Sequence, residues 1–215
     1  MTAPLLHVDQ LAKRYSCGLL RRRTTFSLAA DFTIAEPCVV GVMGPNGSGK
    51  TTLFELITGS NTPTSGHVRV CGQDIHAVRR GERDRVAVHY HQSYQLRSFS
   101  GRRPEALLAR AHSDSPRLHL FDEPQFNLQD GYIGFMLEFF RRLRRADKLV
   151  FLCLHPNEPY HLEILRESCD RFIFVNRGAL SFAPSFDALV QSEPVRAYLG
   201  RLAPGAPGYS GNSVK

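Results

Sequence analysis

Gly44-Pro45-Asn46-Gly47-Ser48-Gly49-Lys50-Thr51 fits the pattern G-x-x-x-x-G-K-[ST], with Thr52 following. Each fixed position has a chemical reason. Glycine lets the backbone curl until successive N–H groups point inward at phosphate oxygens. Lysine at this spacing reaches the β- and γ-phosphates of a nucleotide, and the Thr51 hydroxyl is suited to Mg²⁺. An ordinary glycine-rich strand-to-helix turn is the simpler reading, but here every fixed position is filled. The residue types predict a site for a nucleoside triphosphate.

Such a loop must be held between a strand and a helix. Val39, Val40, Val42 and Met43 form a short apolar, β-branched run that reads as a buried strand over 38–43. Leu53, Phe54, Leu56 and Ile57 follow at helical spacing, and Gly59 is a stop signal. The positive end of that helix adds to the anion site.

Further apolar runs suggest what surrounds this unit. Residues 5–15 give a short apolar segment and a basic turn ending in Tyr15, and 24–34 show a broken alternation expected of an edge strand. Strands are expected at 67–70, 86–90, 118–121, 149–154 and 172–175, and helices at 104–112, 131–145, from 162, and 186–198. Strands alternating with helices behind a phosphate loop predict an α/β fold. It is a P-loop NTPase core, a mainly parallel sheet flanked by helices, with an N-terminal antiparallel β portion. Residues 1–202 read as one domain, and 203–215, rich in Gly, Pro and Ser, as a flexible tail.

Composition narrows the function classes. At 215 residues, 42% hydrophobic and 22% charged, the chain is globular rather than disordered. No apolar run approaches the eighteen or so residues of a spanning helix, and MTAPLLHVDQ lacks the pattern of a secretory signal, so a cytoplasmic location is expected. The five cysteines are scattered without zinc spacing and read as reduced thiols. A net charge of +7 permits nucleic-acid contact, but no binding signature accompanies it, so no nucleic-acid partner is expected.

The order of motifs resembles the ATP-binding subunit of an ATP-binding cassette (ABC) transporter, from Leu6 to Gly200. GPNGSGKTT is similar to that family's phosphate loop, Lys13-Arg14-Tyr15 to the segment whose aromatic stacks on adenine, and Tyr90-His91-Gln92 to its Q-loop. Leu118–Pro124, LHLFDEP, resembles the Walker B strand, and Leu154-His155 lies where the family places its switch histidine. The resemblance implies ATP and Mg²⁺ as cofactors and an ATPase that powers transport through separate integral membrane subunits. It also implies an ATP-dependent homodimer on the cytoplasmic face of a membrane. The implied ATP contacts are Tyr15, Gly44, Pro45, Asn46, Gly47, Ser48, Gly49, Lys50, Thr51 and Thr52. Thr51, Gln92 and Asp122 are the implied metal ligands, and Glu123, Gln92 and His155 the catalytic residues. Chemistry supports these roles. A carboxylate ending a buried strand is placed for Mg²⁺, and the next carboxylate can polarise a water as general base.

Two departures stand out. The signature expected as LSGGQ aligns with Phe99-Ser100-Gly101-Arg102-Arg103. In the family this motif grips the partner subunit's nucleotide; Ser100 and Gly101 retain the hydroxyl and the close-approach backbone that this implies, while Arg102 adds bulk where a glycine is usual. Only residues 93–99 separate Gln92 from Ser100, and eight Cα steps span at most roughly 29 Å. The helical subdomain of the family is therefore expected to be truncated. In the following D-loop, Gln129 stands where an aspartate is usual. A soluble, non-transport ATPase or regulatory module is the alternative that the lost arm suggests.

Overall fold

The computed structural model describes residues 3–18, 23–91, 115–124 and 132–206. Two sheets share the work of positioning the phosphate loop. The first contains β1 (Leu6–Cys17), β2 (Arg23–Ile34), β4 (Ser65–Val70) and β5 (Gln73–Asp74), in the order β2-β1-β4-β5, all antiparallel. The second contains β3 (Val39–Met43), β6 (Ala87–Tyr90), β7 (Leu118–Asp122), β8 (Leu149–Cys153), β9 (Arg171–Asn176) and β10 (Ala179–Ala183). Its order is β10-β9-β3-β8-β7-β6, parallel except for β10.

Burial explains the near-continuous apolar runs. Every residue of β3, β7 and β8 is buried, as expected of parallel strands covered on both faces. Alternation then sorts their side chains. Val39 and Met43 join one core with Phe121, Leu152 and Phe172, packed under α2 (Tyr132–Arg145), α3 (Pro159–Ser168), α4 (Phe186–Gln191) and α5 (Glu193–Leu199). Val40 and Val42 face the other core, where α1 (Lys50–Ile57) supplies Leu53, Phe54, Leu56 and Ile57, and the antiparallel sheet supplies Leu6, Val8, Leu28 and Val68. Gly41 shares the first face, and a Cβ there would meet the Phe172 ring at 2.8 Å. This is the expected arrangement, a mainly parallel sheet flanked by helices with an antiparallel β portion.

The structure corrects three local expectations and adds a strand. β1 does not end in a turn at Tyr15 but runs to Cys17, and a bulge at Gln10, φ +43°, lets the basic stretch continue as strand. α3 starts at Pro159, not Leu162, because proline suits the first helical turn and Glu158 caps it. The single helix expected over 186–198 is two, divided at Ser192, whose backbone is extended two residues before Pro194. β10 follows the Asn176-Arg177-Gly178 turn as a further edge strand. Packing also continues past residue 202, since Ala203 is buried and Ala206 lies against the first core. The expected helix at 104–112, the 93–99 spacer and residues 207–215 lie outside the described residues.

Candidate functional site

The phosphate loop leaves the buried end of β3 and enters α1 at Lys50, with Gly49 as its N-cap at φ +109°. Gly44 is required by a close approach, since a Cβ there would lie 2.0 Å from the Val175 carbonyl oxygen of β9. The turn after β9 braces the loop from behind, with the Gly178 N–H donating to the Ser48 carbonyl at 2.9 Å. Gly47, φ +72°, has open space where a side chain would stand. Lys50 is only 6% exposed, and its ammonium donates to the Gly44 and Pro45 carbonyls at 2.8 and 3.0 Å. A charge that buried needs such partners. The Ser48 hydroxyl, 4% exposed, has no hydrogen-bond partner among the described residues, so a buried polar group in the loop awaits an acceptor or donor.

Walker B residues meet this loop across the sheet. The Thr51 hydroxyl donates to Asp122 Oδ2 at 3.0 Å, and His89 Nε2 lies 3.3 Å from the same oxygen. Burial pushes the Asp122 pKa upward, but hydrogen bonds from His89, Thr51 and Cys153 outweigh it and hold the carboxyl below its usual range. Asp122 is therefore an anion beside a helix N-terminus. Glu123 follows at φ +49°, its N–H donating to the Cys153 carbonyl at 3.0 Å. That turn brings Glu123 into a cleft of about 230 Å³ lined also by Phe26, Asn46, Gly47, Lys50, Thr51 and Thr52.

His155 lies just beyond β8, where the Leu154 N–H donates to the Val42 carbonyl at 3.1 Å. Its Nδ1 is 2.9 Å from the Tyr198 hydroxyl of α5. Burial raises the Tyr198 phenol, and Cys153 and Glu123 add to that rise, so the phenol keeps its proton. Tyr15 pairs across β1 and β2 with Phe26, their ring centroids 6.1 Å apart. It is 36% exposed, its hydroxyl accepts from Asn61 Nδ2 at 2.7 Å, and the Lys13 ammonium sits 5.1 Å from its ring centroid. The structure thus gathers the phosphate-loop residues with Asp122 and Glu123 and places Tyr15 one strand-pair away. Gln92, Ser100, Gly101, Arg102 and Gln129 lie outside the described residues.

Four contributors escaped the sequence. Phe26 covers Gly49, so closely that a Cβ there would lie 2.8 Å from the ring. His89 holds Asp122, Tyr198 holds His155, and Gly178 braces Ser48.

Comparisons with known proteins point to relatives of this chain. Residues 29–102 match the family model described as ABC transporter. The lipoprotein-releasing system ATP-binding protein LolD of Xanthomonas campestris is 26% identical, over 85% of this chain and 95% of that protein. LolD of Xylella fastidiosa is likewise 26% identical, over 84% of this chain and 93% of that protein. The chain is thus similar to ATP-binding subunits of the ABC transporter family. Its fold is also that of the dimeric cassette MJ0796 in a post-hydrolysis state bound to ADP and phosphate. The TM-score is 0.63 at 16% identity, over 83% of this chain and 98% of that one. The alignment with Xanthomonas LolD runs over 234 residues yet takes in only 85% of these 215, so that relative carries about fifty residues without counterpart in this chain. That shortfall fits the expected truncation of a helical subdomain.

The described residues fit a magnesium nucleotide. The partnerless Ser48 hydroxyl, the open space at Gly47 and the Lys50 ammonium suit phosphate oxygens. A hydroxyl beside an ionised carboxylate is a hard oxygen pair of the kind Mg²⁺ takes. Among the described residues no helix is long and apolar enough to cross a membrane.

Proposed function

We propose that this cassette binds MgATP in the cleft beneath Phe26 and hydrolyses it to drive transport through separate integral membrane subunits, working as an ATP-dependent dimer on the cytoplasmic face. The observation that carries the reading is the meeting of Thr51 with Asp122 at 3.0 Å, with Glu123 in the adjoining cleft. Lys50 would leave the Gly44 and Pro45 carbonyls for the β- and γ-phosphates. The loop N–H groups, with Asn46, Ser48, Thr51 and Thr52 beside them, would cradle the same oxygens. Thr51 and Asp122, with Gln92, would hold Mg²⁺, which neutralises charge on the phosphates. Glu123 would accept a proton from the water that attacks the γ-phosphorus, as the bond to the bridging oxygen breaks to give ADP and phosphate. His155, with Nδ1 engaged by Tyr198, would present Nε2 to the transferred group. Tyr15 and Phe26 would receive the adenine, and Ser100 and Gly101 would reach the partner subunit's nucleotide. Relatives named for a lipoprotein-releasing system support transport as the role that this turnover serves.

Nucleotide binding and phosphate release by the purified chain, Lys50→Ala and Glu123→Gln test the reading. Loss of charge-assisted phosphate contacts worth about 3 kcal/mol should weaken ATP binding roughly a hundredfold in Lys50→Ala. Glu123→Gln should keep binding and lose turnover by roughly 10² to 10⁴. Binding without turnover in the parent, or full turnover in Glu123→Gln, would contradict it.

A further inference from the structure

We infer that His89, His91 and Asp122 form a binding site for a borderline first-row divalent cation, such as Zn²⁺ or Co²⁺, beside the nucleotide's Mg²⁺ site. One ligand atom from each of the three residues lies within 4.8 Å of the others. His89 lies in β6 and His91 is the first residue past its end, and their ring centroids are 5.0 Å apart. Tyr90 between them turns the other way, stacking on Phe121 in the opposite core. The His89 ring is fixed edge-on against Phe54, with Nε2 3.3 Å from Asp122 Oδ2. Ligand atoms about 2.0–2.1 Å from one tetrahedral or octahedral ion stand roughly 3.0–3.4 Å apart, so this pair already has the spacing of two ligands.

Chemistry sets the kind of ion. Two imidazoles and one carboxylate leave coordination positions open and favour zinc, cobalt, nickel or ferrous iron over magnesium, which prefers an all-oxygen shell. An entry path exists, because both histidines line a surface cleft of about 480 Å³ together with Glu55, Arg80 and Arg83. Asp122 is shared with the nucleotide site. An ion held by the histidines therefore withdraws that carboxylate from MgATP, coupling nucleotide binding to transition-metal level.

Co²⁺ is the probe, added to the untagged full chain without nucleotide, so the outcome does not depend on ATPase activity. Absorption bands between 500 and 650 nm should rise to a one-to-one end point at micromolar Co²⁺ and persist in millimolar Mg²⁺. His91→Ala, a change at an exposed position that the fold tolerates, should weaken this binding at least tenfold. His67→Ala, which removes the separate His67–Asp74 pair 2.9 Å apart, should leave it unchanged. No binding below millimolar Co²⁺, or binding indifferent to His91→Ala, would overturn the assignment. So would loss of binding in His67→Ala.

Discussion

Gly178→Ala tests whether the β9–β10 turn positions the phosphate loop. A Cβ at Gly178 would lie 1.8 Å from the Ser27 carbonyl oxygen, 2.9 Å from its carbon and 3.1 Å from Leu28 Cα. All three are backbone atoms, so no side-chain rotation relieves the contact. The turn must shift by more than about 1 Å to restore an ordinary separation. Residue 178 also sits at φ +79°, where a non-glycine residue costs about 1–2 kcal/mol. The shift breaks two hydrogen bonds, Gly178 N–H to the Ser48 carbonyl and Ala29 N–H to the Gly178 carbonyl, at 2.9 and 3.0 Å. Each contributes about 0.5–1.5 kcal/mol net. Together the strain and the lost bonds predict about 2–5 kcal/mol of destabilisation. Because Ser48 is one of the displaced partners, ATP affinity should fall about tenfold, which is about 1.4 kcal/mol. Gly134→Ala is the control, since it lies exposed in α2 with no atom of the described residues within 4 Å of its Cβ position, and should stabilise by about 0.5–1 kcal/mol. Urea unfolding gives the stabilities, and titration with a fluorescent ATP analogue gives the affinity. A Gly178→Ala chain within about 0.5 kcal/mol of the parent, with unchanged affinity, would refute the bracing role.

Two other outcomes follow from the same geometry. Tyr198→Phe removes the hydroxyl 2.9 Å from His155 Nδ1, a bond worth about 1 kcal/mol, so turnover should fall about fivefold while ATP affinity stays within about twofold. Equal losses in both, measured by steady-state kinetics and titration, would show that Tyr198 acts on the fold rather than on His155. Burial pushes the Cys38 thiol up to about 11 and also raises Cys153 and Cys169, whereas Cys17 and Cys71 are exposed. A raised thiol stays protonated at pH 8, so alkylation of the native chain should label Cys17 and Cys71 at least roughly a hundredfold faster than the other three. Peptide mapping of the labelled chain decides this, with even labelling as the contrary result.

The strand, glycine loop and α1 were legible because each reads from local pattern: a β-branched run, glycines with lysine at fixed spacing, then a 3.6-residue repeat. Asp122 and Glu123 were legible for the same reason, as polar residues ending an apolar run. What escaped depends on partners distant in sequence. Phe26 reaches the cleft through its register opposite Tyr15, which a bulge at Gln10 shifts. His89 finds Asp122 only because β6 and β7 pair side by side, and Tyr198 finds His155 from a helix 43 residues later. The break between α4 and α5 was present as Pro194, but the apolar residues on either side hid it within one helical pattern. β10 was obscured because ALSFA carries the mixed polarity of an exposed edge strand.

The most direct measurement is the mass of Glu123→Gln in solution, by sedimentation velocity, with and without MgATP. Blocking turnover while leaving the phosphate loop intact should trap nucleotide between two copies. A monomer is therefore expected without nucleotide and a dimer with MgATP, which Lys50→Ala abolishes. A chain that binds MgATP tightly in the Glu123→Gln background and remains monomeric would contradict it.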